Sequence, residues 1–412
     1  MIKKISDILA CISGNLIVFL TVSNIEAQTL QQYKNEAAQN NPKLKAIQNE
    51  YKRSLEKVNE TISLPNTNIG VGYFVSEPET RTGAQKARLN IQQKIPWFGT
   101  NKARKETGFI ESEIVKNTLD IEKRKLILQV ESKYYELYEL KAKQVILIQQ
   151  DTLLKKHLEI RYAELENNKA SAIDILELNI ARNELQNQKE ILKGKILTAE
   201  TAMNQLLHRD GFDPLYIPNN LIIPDEEPTM MLEDITYHPE LMQYEYIQEI
   251  LGKKEKVNAK EALPSIGLGL DYIVVQERPE MNFNDNGKDI IMPMVSFSIP
   301  LFSKKYEARK KQYGLQKEEV YYNKEASQND LENLMEAAIN TRITARINYT
   351  TQQKNREQAK HAEKIILSGY QNDQIDFEEM LDVQKMILDF EIKKIEAIAL
   401  YFKQTAILNY LR

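Results

Sequence analysis

The chain is poor in the residues that break a fold, staple it or do chemistry on a substrate. Of 412 residues only 14 are Gly, 13 Pro, 4 His, 1 Trp and 1 Cys. A lone cysteine, Cys11, leaves no partner for an intrachain disulfide. The histidines are scattered, no nucleophile stands near a base in sequence, and no Gly-rich loop could cradle a phosphate. The expectation is a protein that is not an enzyme and uses neither metal nor cofactor. No apolar run near 18 residues occurs after the first thirty, and mean hydropathy is -0.49, so no membrane-spanning helix is expected. The 55 basic and 59 acidic residues give a net charge of -4 with no basic face, which argues against a nucleic-acid partner.

What remains is rich in Lys, Glu, Gln, Leu, Ile and Ala, a composition of long helices. The N-terminus reads as a secretory signal over residues 1–27. Lys3 and Lys4 precede an apolar core, Leu16-Ile17-Val18-Phe19-Leu20, and Ile25-Glu26-Ala27 offers a cleavage site. The competing reading is a lipobox at Ile8-Leu9-Ala10-Cys11, whose short apolar run is spoiled by Asp7.

The mature chain repeats itself. Leu64-Pro65…Gly70-Val71-Gly72-Tyr73 returns as Leu263-Pro264…Gly267-Leu268-Gly269-Leu270-Asp271-Tyr272, and Ile95-Pro96-Trp97-Phe98 as Ile299-Pro300-Leu301-Phe302. Asn41-Pro42 returns as His238-Pro239, and Lys156-His157 as Lys360-His361. The offset of about 200 residues far exceeds the roughly 20–50 of a solenoid unit, so this is a duplicated half-protein. The halves are 28–208 and 234–412, joined by a proline-bearing connector over 209–233.

Each half has the same order of periodicities. A helical pattern over about 29–63, with Leu44, Ile47, Tyr51, Leu55 and Val58 on one face, stops at Pro65. Period-two runs follow in a hairpin over 66–95, and again over 265–299. Ile69, Val71, Tyr73, Leu89 and Ile91 share one face of the first; Leu268, Leu270, Tyr272, Val295 and Phe297 share one face of the second. Arg88, Asn90, Gln92, Lys94, Gly267, Gly269 and Asp271 fill the polar face. Pro293 removes a ladder donor and is expected at a bulge or a strand start. Each run is about ten residues, the length of a tilted bilayer-crossing strand. Proline-free stretches of about 65 residues then give helix paths of roughly 100 Å. Polar turns end them, and returning helices start near Ser171 and Asp376.

Four such strands cannot close a barrel, and an open edge in lipid is forbidden by its unpaired backbone groups. Closure must come from association, and the polar face fits the wet lumen of 12 strands from three copies better than the filled interior of eight from two. At this point the chain resembles the TolC-like outer-membrane efflux channels over its whole mature length. Ile-Pro-Trp-Phe-Gly at 95–99, followed by Lys102, Arg104 and Lys105, is similar to that family's strand-to-helix junction. The turns 165–176 and 370–381 resemble its tip pattern, with Asn168 and Asp373 where Gly is usual and Leu165 in the aromatic slot. The resemblance implies a mainly α fold with a trimeric 12-stranded membrane barrel, four strands per chain, on a long periplasmic α-helical barrel. It also implies a homotrimer in the outer membrane, a periplasmic adaptor and an inner-membrane pump as partners, and a role as passive exit channel of a tripartite efflux system. A type I protein-secretion duct is the alternative within that architecture; a periplasmic coiled-coil scaffold without a pore is the alternative outside it.

Candidate sites cluster at the turns. Asp373, Asp376 and Asp382 would form acidic rings in a trimer, which select cations; Asp376 with Glu379 also reads as a plain capping box. Asn167, Asn168, Ser171, Asp174, Asn372 and Asp373 make the turns that the resemblance implies dock the adaptor, and Ser171-x-x-Asp174 reads equally as a cap. The ten apolar strand residues named above would face lipid. His157 and His361 occupy equivalent repeat positions and read as helix-surface histidines. Met292 and Met294 share the lumenal strand face. Trp97 reads as an interface anchor, or as core under the barrel rim.

Overall fold

The computed structural model describes residues 30–167, 171–226, 235–280, 283–371 and 377–412. A helix over 30–40 (α1) leads into α2 (Pro42–Thr61), so the first helical pattern is broken once. The break is a helix start: Pro42 sits in the first turn, where its missing N–H costs nothing, and Asn41 Oδ1 accepts from the amides of Lys43 (2.9 Å) and Leu44 (3.3 Å). Strands β1 (Asn68–Tyr73), β2 (Glu79–Thr80) and β3 (Gly83–Ile95) follow, then α3 (Thr100–Glu166) and α4 (Ala172–Leu207). The second half repeats the order with α5 (Pro239–Glu261), β4 (Ser265–Gln276), β5 (Ile290–Ser298), α6 (Lys305–Gln371) and α7 (Phe377–Leu411). Helices α3 and α6 are each 67 residues long.

The contacts divide the chain into two units that cut across the repeat. One unit takes residues 47–119 and 239–327; the other takes 120–238 and 328–412 with the N-terminal segment. Each draws from both halves.

The first unit holds the sheet. Its strand order is β1-β3-β4-β5, all antiparallel, with β2 pairing off the path onto β3. Both expected hairpins form, and β3 joins them by pairing with β4 from Ala84↔Gln276 to Ile95↔Ile266, with a register shift between Gln85 and Ala87. Pro293 is neither a bulge nor a strand start: it pairs in unbroken register with Leu270, inside β5. Strand β5 is an edge, with a neighbour on one side only, and an edge tolerates a missing donor. Below the sheet, Gly108 is where α3 passes closest to α2, since a Cβ there would lie 3.1 Å from Val58 Cγ2; its repeat counterpart Gly314 has nothing within 4 Å.

At the far end of the sheet, Gly83 has φ +136°, and a Cβ there would sit 2.0 Å from the Gln276 carbonyl oxygen. Gly83→Ala is therefore expected to destabilise that end by about 1–3 kcal/mol through backbone strain alone, with the clash in addition. Circular dichroism melts of the purified protein should show a lower midpoint than wild type; an unchanged midpoint would sink this account of Gly83.

The second unit is helical. Its core is a heptad seam: Leu147 and Leu154 on α3, and Leu178, Leu185 and Leu192 on α4, recur every seven residues and are buried with Phe377, Met380 and Leu381 of α7. Antiparallel helices with a seven-residue apolar repeat bury that seam against each other along their length.

Candidate functional site

The seam carries an exception. One heptad beyond Leu154 the core position is Arg161, only 4 % exposed. Its guanidinium lies 4.0 Å from the Phe377 ring centroid and 4.9 Å from that of Tyr370. Nη1 donates to Glu164 Oε2 (2.8 Å), and Nη2 lies 3.3 Å from Asp174 Oδ2. The Tyr370 hydroxyl donates to the same Glu164 oxygen (3.0 Å). Residues of α3, α4, α6 and α7 thus meet on one buried cation. A guanidinium suits the position because it stacks flat on aromatic faces while its fork engages two carboxylates. One turn back, the His157 ring packs edge-on to Phe377 at 6.1 Å, and its Nε2 is 2.9 Å from the side-chain amide of the buried Gln384. Burial, and then the Arg161 cation, hold His157 below the usual histidine range. Burial raises the Tyr370 phenol, with the Glu164 hydrogen bond adding to it.

The turn residues divide. Ser171 is the N-cap of α4 and accepts from the Ile173 amide (3.2 Å). Asp174 does not complete a capping box there but faces Arg161. Asn167 closes α3 by donating to the Ala163 carbonyl (2.7 Å). Asp382 is exposed and lies 3.2 Å from Lys385 on its own helix. Asn168, Asn372, Asp373 and Asp376 lie outside the described residues. The two repeat histidines are not equivalent: His157 is half-buried in the cluster, whereas His361 is exposed. Arg161, Glu164 and Gln384 were not singled out in the sequence. The signal was there for Arg161, a charge in the seven-residue register of Leu140, Leu147 and Leu154.

The sheet offers two unlike faces. Ile69, Val71, Tyr73, Leu89, Ile91, Leu268, Leu270, Tyr272, Val295 and Phe297 are all at least 37 % exposed. Cross-strand register lines them up in rows, Ile69–Ile91–Leu270 and Val71–Leu89–Tyr272. On the opposite face Asp271 is fully buried beneath Arg88 and Asn90, which both bond its carboxylate. Met292 and Met294 lie across from Asp271 and Gly269, on that same polar side. Where strand meets helix, Trp97 is half-buried 6.0 Å from the ring of Phe98; Phe98 and Phe302 are the exposed aromatics there, at 74 % and 99 %. Among the described residues no group of three or more His, Cys, Asp or Glu could hold a metal ion. No described helix is long and apolar enough to cross a membrane.

The fold combines a sheet with one apolar and one polar face and long helices that run in pairs. Solved outer-membrane channels have it. The chain superposes on the outer membrane protein VceC of Vibrio cholerae with a TM-score of 0.74 at 13% identity, over 93% of this chain and 96% of that one. For the outer membrane channel CmeC of Campylobacter jejuni the values are 0.72, 14%, 93% and 85%. For the open state of the MtrE outer membrane channel of Neisseria gonorrhoeae they are 0.73, 14%, 93% and 88%. No protein-family profile and no curated protein matches the sequence. The chain has the TolC-like fold.

Proposed function

We propose that this chain is the passive outer-membrane exit channel of a tripartite export system. The observation that carries the reading is the sheet: four strands with an exposed apolar face, a polar face on which Arg88 covers the buried Asp271, and unpaired edges at β1 and β5. Such edges in lipid are satisfied only by closure, and three copies edge to edge make a 12-stranded barrel with a wet interior. The ten apolar strand residues then face lipid, and Phe98 and Phe302 take the interfacial place expected of Trp97. The helical part stands in the periplasm. The turns around Asn167, Asn168, Ser171, Asp174, Asn372 and Asp373 are the docking points for a periplasmic adaptor. Asp373, Asp376 and Asp382 are candidates for acidic rings on the conducting path. Transport energy comes from an inner-membrane pump, since the chain offers no catalytic constellation of its own.

The test is fractionation followed by recording. Cells expressing the chain should yield a heat-modifiable trimer in the outer membrane, and that trimer should conduct in planar bilayers. A soluble periplasmic product would replace the channel with a scaffold. In the recordings, Asp373→Asn is expected to lower cation preference; unchanged conductance and selectivity would remove Asp373 from the path and leave the channel standing. Photo-crosslinkers at Asn168 and Asn372 should capture the adaptor, and failure at both would reject the docking role of the turns.

A further inference from the structure

The buried cluster in the helical unit does more than fill a core. We infer that it is a proton-operated latch: a neutral His157 keeps the start of α7 seated on α3, and protonating it releases that seat.

The argument is from placement. His157 packs edge-on to Phe377, the first residue of α7, and meets Gln384 two turns further along the same helix. It therefore touches α7 at two points. Its repeat counterpart His361 is exposed, so nothing about the repeat requires a histidine to be buried here. The charges around it are fixed. On α3 the nearest is the Arg161 cation; Glu164 on α3 and Asp174 on α4 are already engaged by that guanidinium, and Tyr370 on α6 donates to Glu164. Among the described residues of α7, those that meet the ring are an aromatic side chain and a neutral amide, with Asp382 and Lys385 turned outward onto each other. Among the described residues no free carboxylate faces the imidazole to welcome a proton. A protonated ring would be a second cation beside Arg161, partly desolvated against Phe377.

The sign follows from linkage. Folding lowers the affinity of His157 for its proton, so the unfolded or unseated state binds more protons. The seat is fully stable above the ordinary histidine range, near 6.5, and weakens as pH falls below it. This deepens the proposed channel by naming a regulator for its helical end, and it rests on that reading only for its physiological meaning.

Hydrogen exchange on the full-length protein in detergent tests it, with rates corrected for the intrinsic effect of pH. Between pH 7.5 and 5.5, wild type should lose protection over 377–384 by up to roughly tenfold, the worth of one pH unit below 6.5, while 83–95 in the sheet stays flat. His157→Gln, which keeps an amide-bonding group and cannot be protonated, should show no such loss. An equal response in both proteins overturns the latch. Should His157→Gln fail to fold, NMR titration of His157 in wild type, assigned by elimination with His208→Gln, His238→Gln and His361→Gln, decides instead: titration at or above 6.5 overturns it, and titration below 6.5 supports it. Neither result bears on whether the trimer conducts, so the channel and the latch fail separately.

Discussion

Leu270→Arg should abolish the proposed outer-membrane trimer. Leu270 lies in the middle of β4, in the row Ile69–Ile91–Leu270, and its side of the sheet is the exposed apolar one. An arginine at the midplane of a barrel's lipid face costs about 2–4 kcal/mol, so three copies cost roughly 6–12 kcal/mol per trimer. That is comparable to the whole stability of many proteins, about 5–15 kcal/mol. The expected result is loss of the heat-modifiable trimer, with the chain degraded or left in the periplasm. Gln92→Arg, on the opposite face and two residues along from Asn90, serves as the matched control and should assemble. If Leu270→Arg inserts as well as wild type, the exposed face does not meet lipid, and the scaffold reading gains.

Phe377→Ala should unseat the helical end while leaving the sheet intact. Phe377 is 5 % exposed and sits at the meeting of Arg161, Tyr370 and His157. Large-to-small changes of a buried Phe cost about 3–5 kcal/mol. Here the truncation also strips the Arg161 guanidinium of its closer aromatic face, leaving a buried cation less well covered. The loss falls on a local unit, and local opening reads it directly. Trypsin cannot reach Arg161 in the wild-type seam; in Phe377→Ala it should cut after Arg161 markedly faster, at an unchanged sheet melting temperature. Equal cleavage rates would mean that Phe377 does not hold the cluster together.

The two predictions draw on different kinds of legibility. The apolar face around Leu270 was readable residue by residue, because a strand's period of two is a property of consecutive residues and shows in any half-buried strand. All ten apolar strand positions named from the sequence are exposed on one face. Helix limits were equally local. The proline-free runs became α3 and α6 and Ser171 capped α4, whereas the helix start at Pro42 interrupts the single pattern expected over 29–63. The environment of Phe377 was not readable. Arg161, Glu164, Asp174, Tyr370 and Gln384 come from four helices, and some of them are more than 200 positions apart. Only the register of Arg161 in a leucine heptad hinted that a charge was buried there.

The repeat shows the same division. It foretold that a helix, a hairpin, a long helix and a returning helix would each occur twice, and they do, whereas α1 and β2 have no counterpart among the described residues of the second half. It also suggested that paired positions would be alike, and several are not. Gly108 sits in close contact beneath the sheet while Gly314 is open, and His157 is locked in the cluster while His361 is exposed. Pro293, awkward for a strand interior, nonetheless pairs in register with Leu270 in β5, an edge of the chain's own sheet.

By itself, then, the sequence determined what depends on neighbours along the chain: which long segments are strands or helices, which strand face is apolar, and that the protein is a duplicated half. Tertiary structure alone decided that β3 pairs with β4, that Asp271 is buried under Arg88, and that one histidine of a repeated pair meets a buried arginine. The physical reason is that backbone periodicity and capping act over a few residues. The pairing of distant segments is set by packing and by the need to satisfy buried charges, and neither is written in any short stretch of chain.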